Sequence, residues 1–149
     1  GPIIDQIETE IGQQETMGEL TERLIEIGAD RLIELINQKL IDDKLTFWVM
    51  KPQNHSKSTY AHKIDKKESE INWNKSPKEI KNKVYAFNPC PGAYTFVDID
   101  GQKKRLKIWQ AHINENKLIP EIVQLSGKNK TNWPQFSHNY DITIEDLKK

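Results

Sequence analysis

The chain has 149 residues, of which 36% are hydrophobic and 30% are charged, and its formal net charge at pH 7 is zero. This length suits one ordinary domain, or a small domain with a piece of another, and no segment approaches the roughly 20 apolar residues of a membrane-spanning helix. The single cysteine, Cys90, excludes an internal disulfide and fits a reducing, cytoplasmic location. Since the chain begins with Gly1 rather than methionine, we expect a processed protein or a piece of a longer one.

The charge is distributed unevenly along the chain. Residues 1–50 carry four basic and eleven acidic residues, a net charge of −7, and residues 51–149 carry a net charge of +7. The second part is therefore better suited to bind a polyanion such as nucleic acid. Charge alone is equally compatible with one solvated acidic helix and lysines that maintain solubility.

The first fifty residues predict a strand followed by a long helix. Isoleucines that partly alternate with polar residues favour a strand over residues 2–11. A capping box of Thr16 and Glu19 then predicts a helix from about residue 17 to residue 40. Apolar residues recur along it at helical spacing and predict one buried stripe. They are Leu20, Leu24, Ile27, Leu32, Leu35, Ile36 and Leu40.

Residues 42–59 are the best candidate for a linker. Pro52 disfavours helix at the residue before it, and the Ser, Asn and Lys content of the segment cannot build a core. Residues 60–75 are charged but contain four spaced apolar side chains. We expect an extended strap that lies on a surface through Tyr60, Ile64, Ile71 and Trp73.

The second half of the chain predicts one helix and three strands. Ser76, Pro77 and Glu79 combine an N-cap, a first-turn proline and a capping box, and Asn88-Pro89 ends the helix. Its predicted buried stripe is Ile80, Val84 and Phe87. Strands are predicted at 94–99, 104–109 and 119–125, the first two joined by a tight turn at Asp100-Gly101. Short strands with Gly-rich turns favour a small β-barrel.

The residue types and their spacing indicate no active site. The four histidines and Cys90 lack the spacing of metal ligands, and Cys90 lies between two prolines in a turn without a base beside it. Neither a phosphate-binding glycine loop nor a nucleophile elbow is present in the sequence. We therefore assign no catalytic residue and no metal-binding residue.

Basic side chains gather along the predicted hairpin. Lys103, Arg105 and Lys107 share one strand face, which Trp109 continues. Further lysines lie in the following turn (Lys128, Lys130) and in the strap (Lys63, Lys66, Lys67). On a small barrel they could form a groove that neutralises phosphates. Hairpin-edge lysines that prevent strand-to-strand aggregation are an equally good interpretation.

Several segments resemble methionyl-tRNA formyltransferase, in matching order and spacing over about ninety residues of the second half. They are YAHKI (60–64), INW (71–73), AFNPCPGAYT (86–95), RLKIWQA (105–111) and VQLSGK (123–128). The opening residues, with their strand and long helix, are similar to the end of that family's catalytic domain. The resemblance therefore extends over essentially the whole chain.

The resemblance implies an α+β chain in three parts. Residues 1–50 are expected to be the last strand and helix of a Rossmann-like catalytic domain, residues 51–62 a linker, and residues 63–149 an OB-like, tRNA-binding domain. Two departures stand out: Cys90 replaces the family's usual tryptophan, and only a short segment separates Trp109 from Val123. The second departure predicts a reduced barrel.

The resemblance also implies the function. The family transfers a formyl group from 10-formyltetrahydrofolate to the amino group of methionyl initiator tRNA, with catalytic residues in an N-terminal half that nothing in this chain matches. This chain alone is expected to be inactive, monomeric and without bound folate, and to require that half as its partner. A freestanding OB-like RNA-binding module, or the tail of a sugar-nucleotide formyltransferase, is the alternative. We expect phosphate contacts from Lys63, Lys103, Lys104, Arg105, Lys107 and Lys128.

Overall fold

The structure, a computed structural model, describes residues 1–41 and 50–148. Its contacts divide the chain into two units, Gly1–Gln13 with Glu19–Lys63, and Gln14–Gly18 with Ile64–Lys149. Helices are combined with a four-stranded antiparallel sheet, as the predicted α+β class requires. No helix of the described residues is long and apolar enough to cross a membrane.

The long helix is confirmed as α1, Met17–Ile41, but the strand predicted over residues 2–11 is wrong. Ile3 makes one antiparallel bridge with Lys51, in which each backbone N–H donates to the other residue's carbonyl at 2.8 Å. Alternation can form a strand only where a neighbouring strand supplies hydrogen bonds. Here Ile7 and Ile11 remain 49% and 68% exposed.

The predicted apolar stripe of α1 is not buried. Leu24, Leu32 and Ile36 are 46%, 56% and 44% exposed, and Leu20, Ile27 and Leu35 are only half-buried. Helical spacing indicates which residues share a face, but burial requires a partner surface. The Leu40 side chain and residues 42–49 of the linker candidate lie outside the described residues.

The strap over residues 60–75 is packed only in its second half. Tyr60 and Ile64 are 90% and 52% exposed, so their predicted role as contacts was wrong. Ile71 is buried, and its N–H donates to the Tyr94 carbonyl at 2.8 Å. Trp73 packs against the core and donates from Nε1 to Thr95 Oγ1 at 3.0 Å. A short 3-10 helix at Lys66–Ser69 interrupts the extended backbone of the strap, and another at His55–Lys57 precedes the strap.

The second predicted helix is confirmed as α2, Pro77–Ala86. Ser76 and Glu79 form the reciprocal capping box, and the hydrogen bonds from Ser76 hold the pKa of the Glu79 carboxyl below its usual value. Ile80 and Val84 are buried as predicted, whereas Phe87 is half-buried at the C-cap.

The three predicted strands form, and a fourth strand and a third helix follow them. β1 (Tyr94–Ile99), β2 (Gln102–Asn114), β3 (Lys117–Leu125) and β4 (Thr131–Asn132) pair antiparallel in chain order. Asp100 and Gly101, at φ 56° and 73°, make the predicted tight turn. β4 and α3, Trp133–Tyr140, were not predicted.

Helices cover one face of this sheet and leave the other face available. Leu106, Ile108 and Val123 are fully buried, in one cluster with Val84 of α2 and Phe136 of α3. Since side chains alternate between the two faces of a strand, the residues between these core positions point to the opposite face. That face carries the candidate site.

Candidate nucleic-acid interface

Aromatic and cationic side chains share the sheet face opposite the core. In the β1–β2 register Tyr94 lies opposite Lys107 and Phe96 lies opposite Arg105, and residues opposite each other point to the same side. Lys103, two residues before Arg105 on β2, lies on the same face. We call this surface the cation–aromatic face. It consists of Tyr94, Phe96, Lys103, Arg105, Lys107, Trp109 and Lys130.

Each cation on the β1–β2 part of the face rests on an aromatic ring. Lys103 Nζ lies 4.8 Å from the Phe96 ring centroid, and Arg105 Cζ lies 4.6 Å from that of Tyr94. The two rings meet edge to face, with centroids 5.6 Å apart and planes at 84°. Each cation–π contact contributes about 0.5–1 kcal/mol at an exposed site, so the rings favour these positions of the charged groups before any ligand binds.

Trp109 extends the face beyond an irregularity in β2. The β2–β3 register shifts on both sides of Gln110. Two ammonium groups lie near the Trp109 ring, with Lys107 Nζ 5.0 Å and Lys130 Nζ 4.0 Å from its centroid. Trp109 Nε1 donates to Gln124 Oε1 at 3.1 Å, which fixes the ring orientation.

The cations of this face are available to an anionic ligand. Among the described carboxylates, none forms an ion pair with Lys103, Arg105 or Lys130. Two of the described carboxylates lie beside the face without pairing with these cations: Asp98 is opposite Lys103 in the β1–β2 register, and Glu70 accepts from the hydroxyl of Tyr94, on whose ring Arg105 lies. A phosphate backbone lying over the face would therefore meet several cations at once.

The structure brings together some of the predicted phosphate contacts and separates others. Lys103, Arg105 and Lys107 share the face as expected, and Lys128 is exposed in the turn beside it, where its carbonyl accepts from Gln124. Lys104 lies opposite Val97 on the other side of β2 and is half-buried. Lys63 belongs to the first unit.

Two contributions were missed from the sequence. Lys130 was noted as a turn lysine but not assigned a contact, although its Nζ lies only 4.0 Å from the centroid of the Trp109 ring. Tyr94 and Phe96 were not assigned to the site either. Their alternation along β1, in register with the β2 cations, was the signal that could have identified them.

Lys107 has a structural role besides its charge. Its Nζ donates to the Pro91 carbonyl at 2.8 Å, and the side chain lies against Gly92. A Cβ at Gly92 would lie 3.1 Å from both Lys107 Cδ and Trp109 Cη2, at a backbone φ of +85°. The absence of a side chain at Gly92 therefore allows the loop that contains Pro91 and Gly92 to pack against Lys107 and Trp109 of the face.

Gly92→Ala should destabilise the chain more than Gly101→Ala. Both glycines have positive φ, where a side chain costs about 1–2 kcal/mol, but a Cβ at Gly101 meets nothing within 4 Å. The steric contact with Lys107 and Trp109 should add about 1 kcal/mol to the loss at Gly92. Urea unfolding of both variants measures the difference. Equal losses would show that the loop does not press against the face.

Tyr94 should make the stability of the chain pH-dependent above pH 10. Burial raises the pKa of Tyr94 above the usual value of a tyrosine, and the hydrogen bond that its hydroxyl donates to Glu70 raises it further. The unfolded chain then ionises first, so this stabilisation is complete below pH 10 and falls as the pH rises towards the folded pKa. Unfolding free energies measured from about pH 9 to 11 should fall less steeply for Tyr94→Phe than for the unchanged chain. Parallel curves would disprove the assignment.

The described residues contain no group of three or more His, Cys, Asp or Glu side chains that could hold a metal ion. Cys90 is an exposed free thiol between Pro89 and Pro91. The described polar groups of the face are mainly cations, rings and amides, with the single carboxylate of Asp98 opposite Lys103, and this excess of cations is suited to binding an anion.

Comparison with known proteins identifies related sequences. The formyl transferase, C-terminal domain family matches residues 63–128. A methionyl-tRNA formyltransferase of Carboxydothermus hydrogenoformans is 38% identical over 131 residues, covering 87% of this chain and 40% of the relative. That of Alkaliphilus oremlandii is 41% identical over 79% of this chain and 36% of its own length, and that of Brucella ovis is 34% identical over 83% and 39%. The chain thus spans about two fifths of the length of these relatives.

Proposed function

Because the chain belongs to the family that carries the formyl transferase C-terminal domain, we propose that it is the C-terminal part of a methionyl-tRNA formyltransferase. In this proposal the complete protein transfers a formyl group from 10-formyltetrahydrofolate to the amino group of methionyl initiator tRNA. Support comes from relatives with that name, which match 79% to 87% of this chain at 34% to 41% identity. The proposed alternatives, a freestanding RNA-binding module or a sugar-nucleotide formyltransferase tail, receive no such support.

The proposed role of this chain is to hold the tRNA. The observation that carries it is the cation–aromatic face, where Lys103, Arg105 and Lys130 are positioned by rings and form no ion pair with a described carboxylate. A surface of this kind binds sugar-phosphate backbone with an affinity that depends on salt. Lys107 on the same face and Lys128 in the turn beside it complete the proposed contacts.

The proposed domain division follows the expected one. In this division residues 1–50 are the C-terminal end of a Rossmann-like catalytic domain, and residues 51–62 are a linker. Residues 63–149 are an OB-like domain with a reduced barrel. The start of the last part is supported by the family match, which begins at residue 63, and by the division into units, in which Lys63 is the last residue of the first unit and Ile64–Lys149 belong to the second. The tight turn at Glu115 and Asn116 supports the reduced barrel, because it joins β2 directly to β3 and leaves no residues for further strands between them.

The proposed division of labour places the chemistry in the N-terminal half. That half would bind the folate donor and supply the groups that stabilise the oxyanion and move protons during attack by the amine. This chain would raise the local concentration and fix the orientation of the tRNA, an effect expressed mainly in KM.

A chimeric enzyme tests this proposal. Replacing the matching C-terminal part of the Carboxydothermus relative by this chain should retain formylation of methionyl initiator tRNA. The same chimera with Lys103, Arg105 and Lys130 replaced by glutamine should show a raised KM for tRNA and a nearly unchanged kcat. A folded chimera with no formylation in either form would contradict the proposed function.

A further inference from the structure

An open groove lies along the outer edge of β1, on the side away from β2. Its volume is about 870 Å³, and it runs between residues 70–74 and the C-terminal residues 140–148, all of the second unit. Trp73 and Phe96 contribute aromatic surface to its walls. Size and shape are in the range of protein sites that bind ligands.

The backbone of β1 presents unpaired hydrogen-bonding groups to this groove. Ala93 accepts from Ile108 of β2, whereas the Tyr94 carbonyl points away from β2 and accepts from Ile71. Since carbonyl and N–H directions alternate along a strand, the backbone groups of Phe96 and Asp98 also point away from β2. Within the described residues they meet no hydrogen-bond partner, because the parallel pairing of residue 70 with Tyr94 is a single bridge.

The groove is acidic although the second half of the chain is basic. Four carboxylates and two ammonium groups line it, a net charge of −2. They are Glu70, Asp98, Asp141 and Asp146, and Lys103 and Lys148. Lys148 forms an ion pair with Glu145 at 2.8 Å, whereas Lys103, whose ammonium group lies on the Phe96 ring, is shared with the cation–aromatic face. The groove therefore favours a cationic ligand, the opposite of the cation–aromatic face.

We propose that this groove binds an extended polypeptide segment that carries lysine or arginine, added as a further strand beside Phe96 and Asp98. Main-chain hydrogen bonds to the open edge would supply affinity, and the carboxylates would select basic side chains. The charge of the groove decides against RNA as its occupant. This inference goes beyond the proposed tRNA contact and does not depend on it.

Synthetic peptides test the mode of binding. A fluorescein-labelled octapeptide that alternates lysine with valine should bind the 149-residue chain at least about tenfold more tightly than its glutamate counterpart. N-methylation at every second residue removes the donors on one edge of the peptide. One of the two possible N-methylation patterns should weaken binding about tenfold and the other should not. Equal binding of the lysine and glutamate peptides, or tolerance of both patterns, would overturn the proposal.

Variants of the chain locate the site. Asp98→Asn with Asp141→Asn keeps the acceptor oxygen for Gly101 and the left-handed backbone at 141, and should weaken peptide binding about threefold. Because Asp98 lies opposite Lys103 of the cation–aromatic face, the loss of its negative charge should not weaken tRNA binding. The matched control, Asp100→Asn with Glu115→Gln, lies outside the groove and should leave peptide binding unchanged. Peptide should also slow hydrogen exchange at the Phe96 and Asp98 amides. If the chain is a dimer and these amides exchange slowly without peptide, the edge of β1 pairs with a second copy of the chain, and the proposal is overturned.

Discussion

Replacing Lys103, Arg105 and Lys130 together by glutamine is expected to weaken binding of initiator tRNA about 100-fold at low salt, at about 1 kcal/mol for each lost phosphate contact. Each cation lies on a ring, and none forms an ion pair with a described carboxylate. Each lost contact should also reduce the slope of log affinity against log salt by about one. Fluorescence titration with tRNA between about 50 and 200 mM salt measures both quantities.

A control triple variant distinguishes the loss of contacts on the face from the change in the net charge of the chain. Lys78, Lys104 and Lys117 lie on α2, on the core side of β2 and at the β2–β3 turn, so their replacement by glutamine removes the same charge away from the face. This variant should weaken binding only about two- to threefold through long-range electrostatics. Equal losses in the two variants would show that tRNA senses the charge of the chain and not this face.

Phe136→Ala is expected to destabilise the second unit by about 3–5 kcal/mol, a large part of the usual stability of a domain. Phe136 is 1% exposed, and its ring centroid lies 5.8 Å from that of Trp133 and 4.9 Å from that of Tyr140. Removal of the ring leaves a cavity between α3 and the sheet. The melting temperature, followed by circular dichroism, should fall by about 15 °C or more.

Asn139→Ala is the matched control for Phe136→Ala. Asn139 lies on the same helix and is exposed, so its replacement should change the unfolding free energy by no more than about 0.5 kcal/mol. A loss of about 1 kcal/mol or less for Phe136→Ala would mean that α3 is not packed on the sheet as the structure shows.

Local signals predicted the elements whose geometry is decided by a few adjacent residues. The Ser76–Glu79 capping box and the Asp100-Gly101 turn each satisfy or redirect the backbone without help from distant residues, and both formed as predicted. Asn132 is a local signal of the same kind, because its side chain accepts from the Gln135 N–H and caps the N-terminus of α3. This N-cap, with Pro134 in the first turn, was the overlooked signal for α3.

Predictions that depended on a partner surface were less successful. The isoleucines of residues 2–11 and the apolar stripe of α1 have the right spacing, but spacing does not specify what covers them. Tyr60 and Ile64 failed for the same reason. In the candidate site, alternation correctly grouped Lys103, Arg105 and Lys107, whereas the approach of Lys130 to Trp109 depends on a turn and a register shift between β2 and β3 that sequence patterns do not reveal.

Protection of lysines from acetylation by bound tRNA tests the central claim most directly. Lys103 and Lys104 are adjacent in sequence but point to opposite sides of β2, so each serves as the control for the other. Mass spectrometry of the chain acetylated with and without initiator tRNA should show strong protection of Lys103 and Lys130 and little change at Lys104. Equal protection of Lys103 and Lys104, or none at Lys130, would contradict the proposal that tRNA lies on the cation–aromatic face.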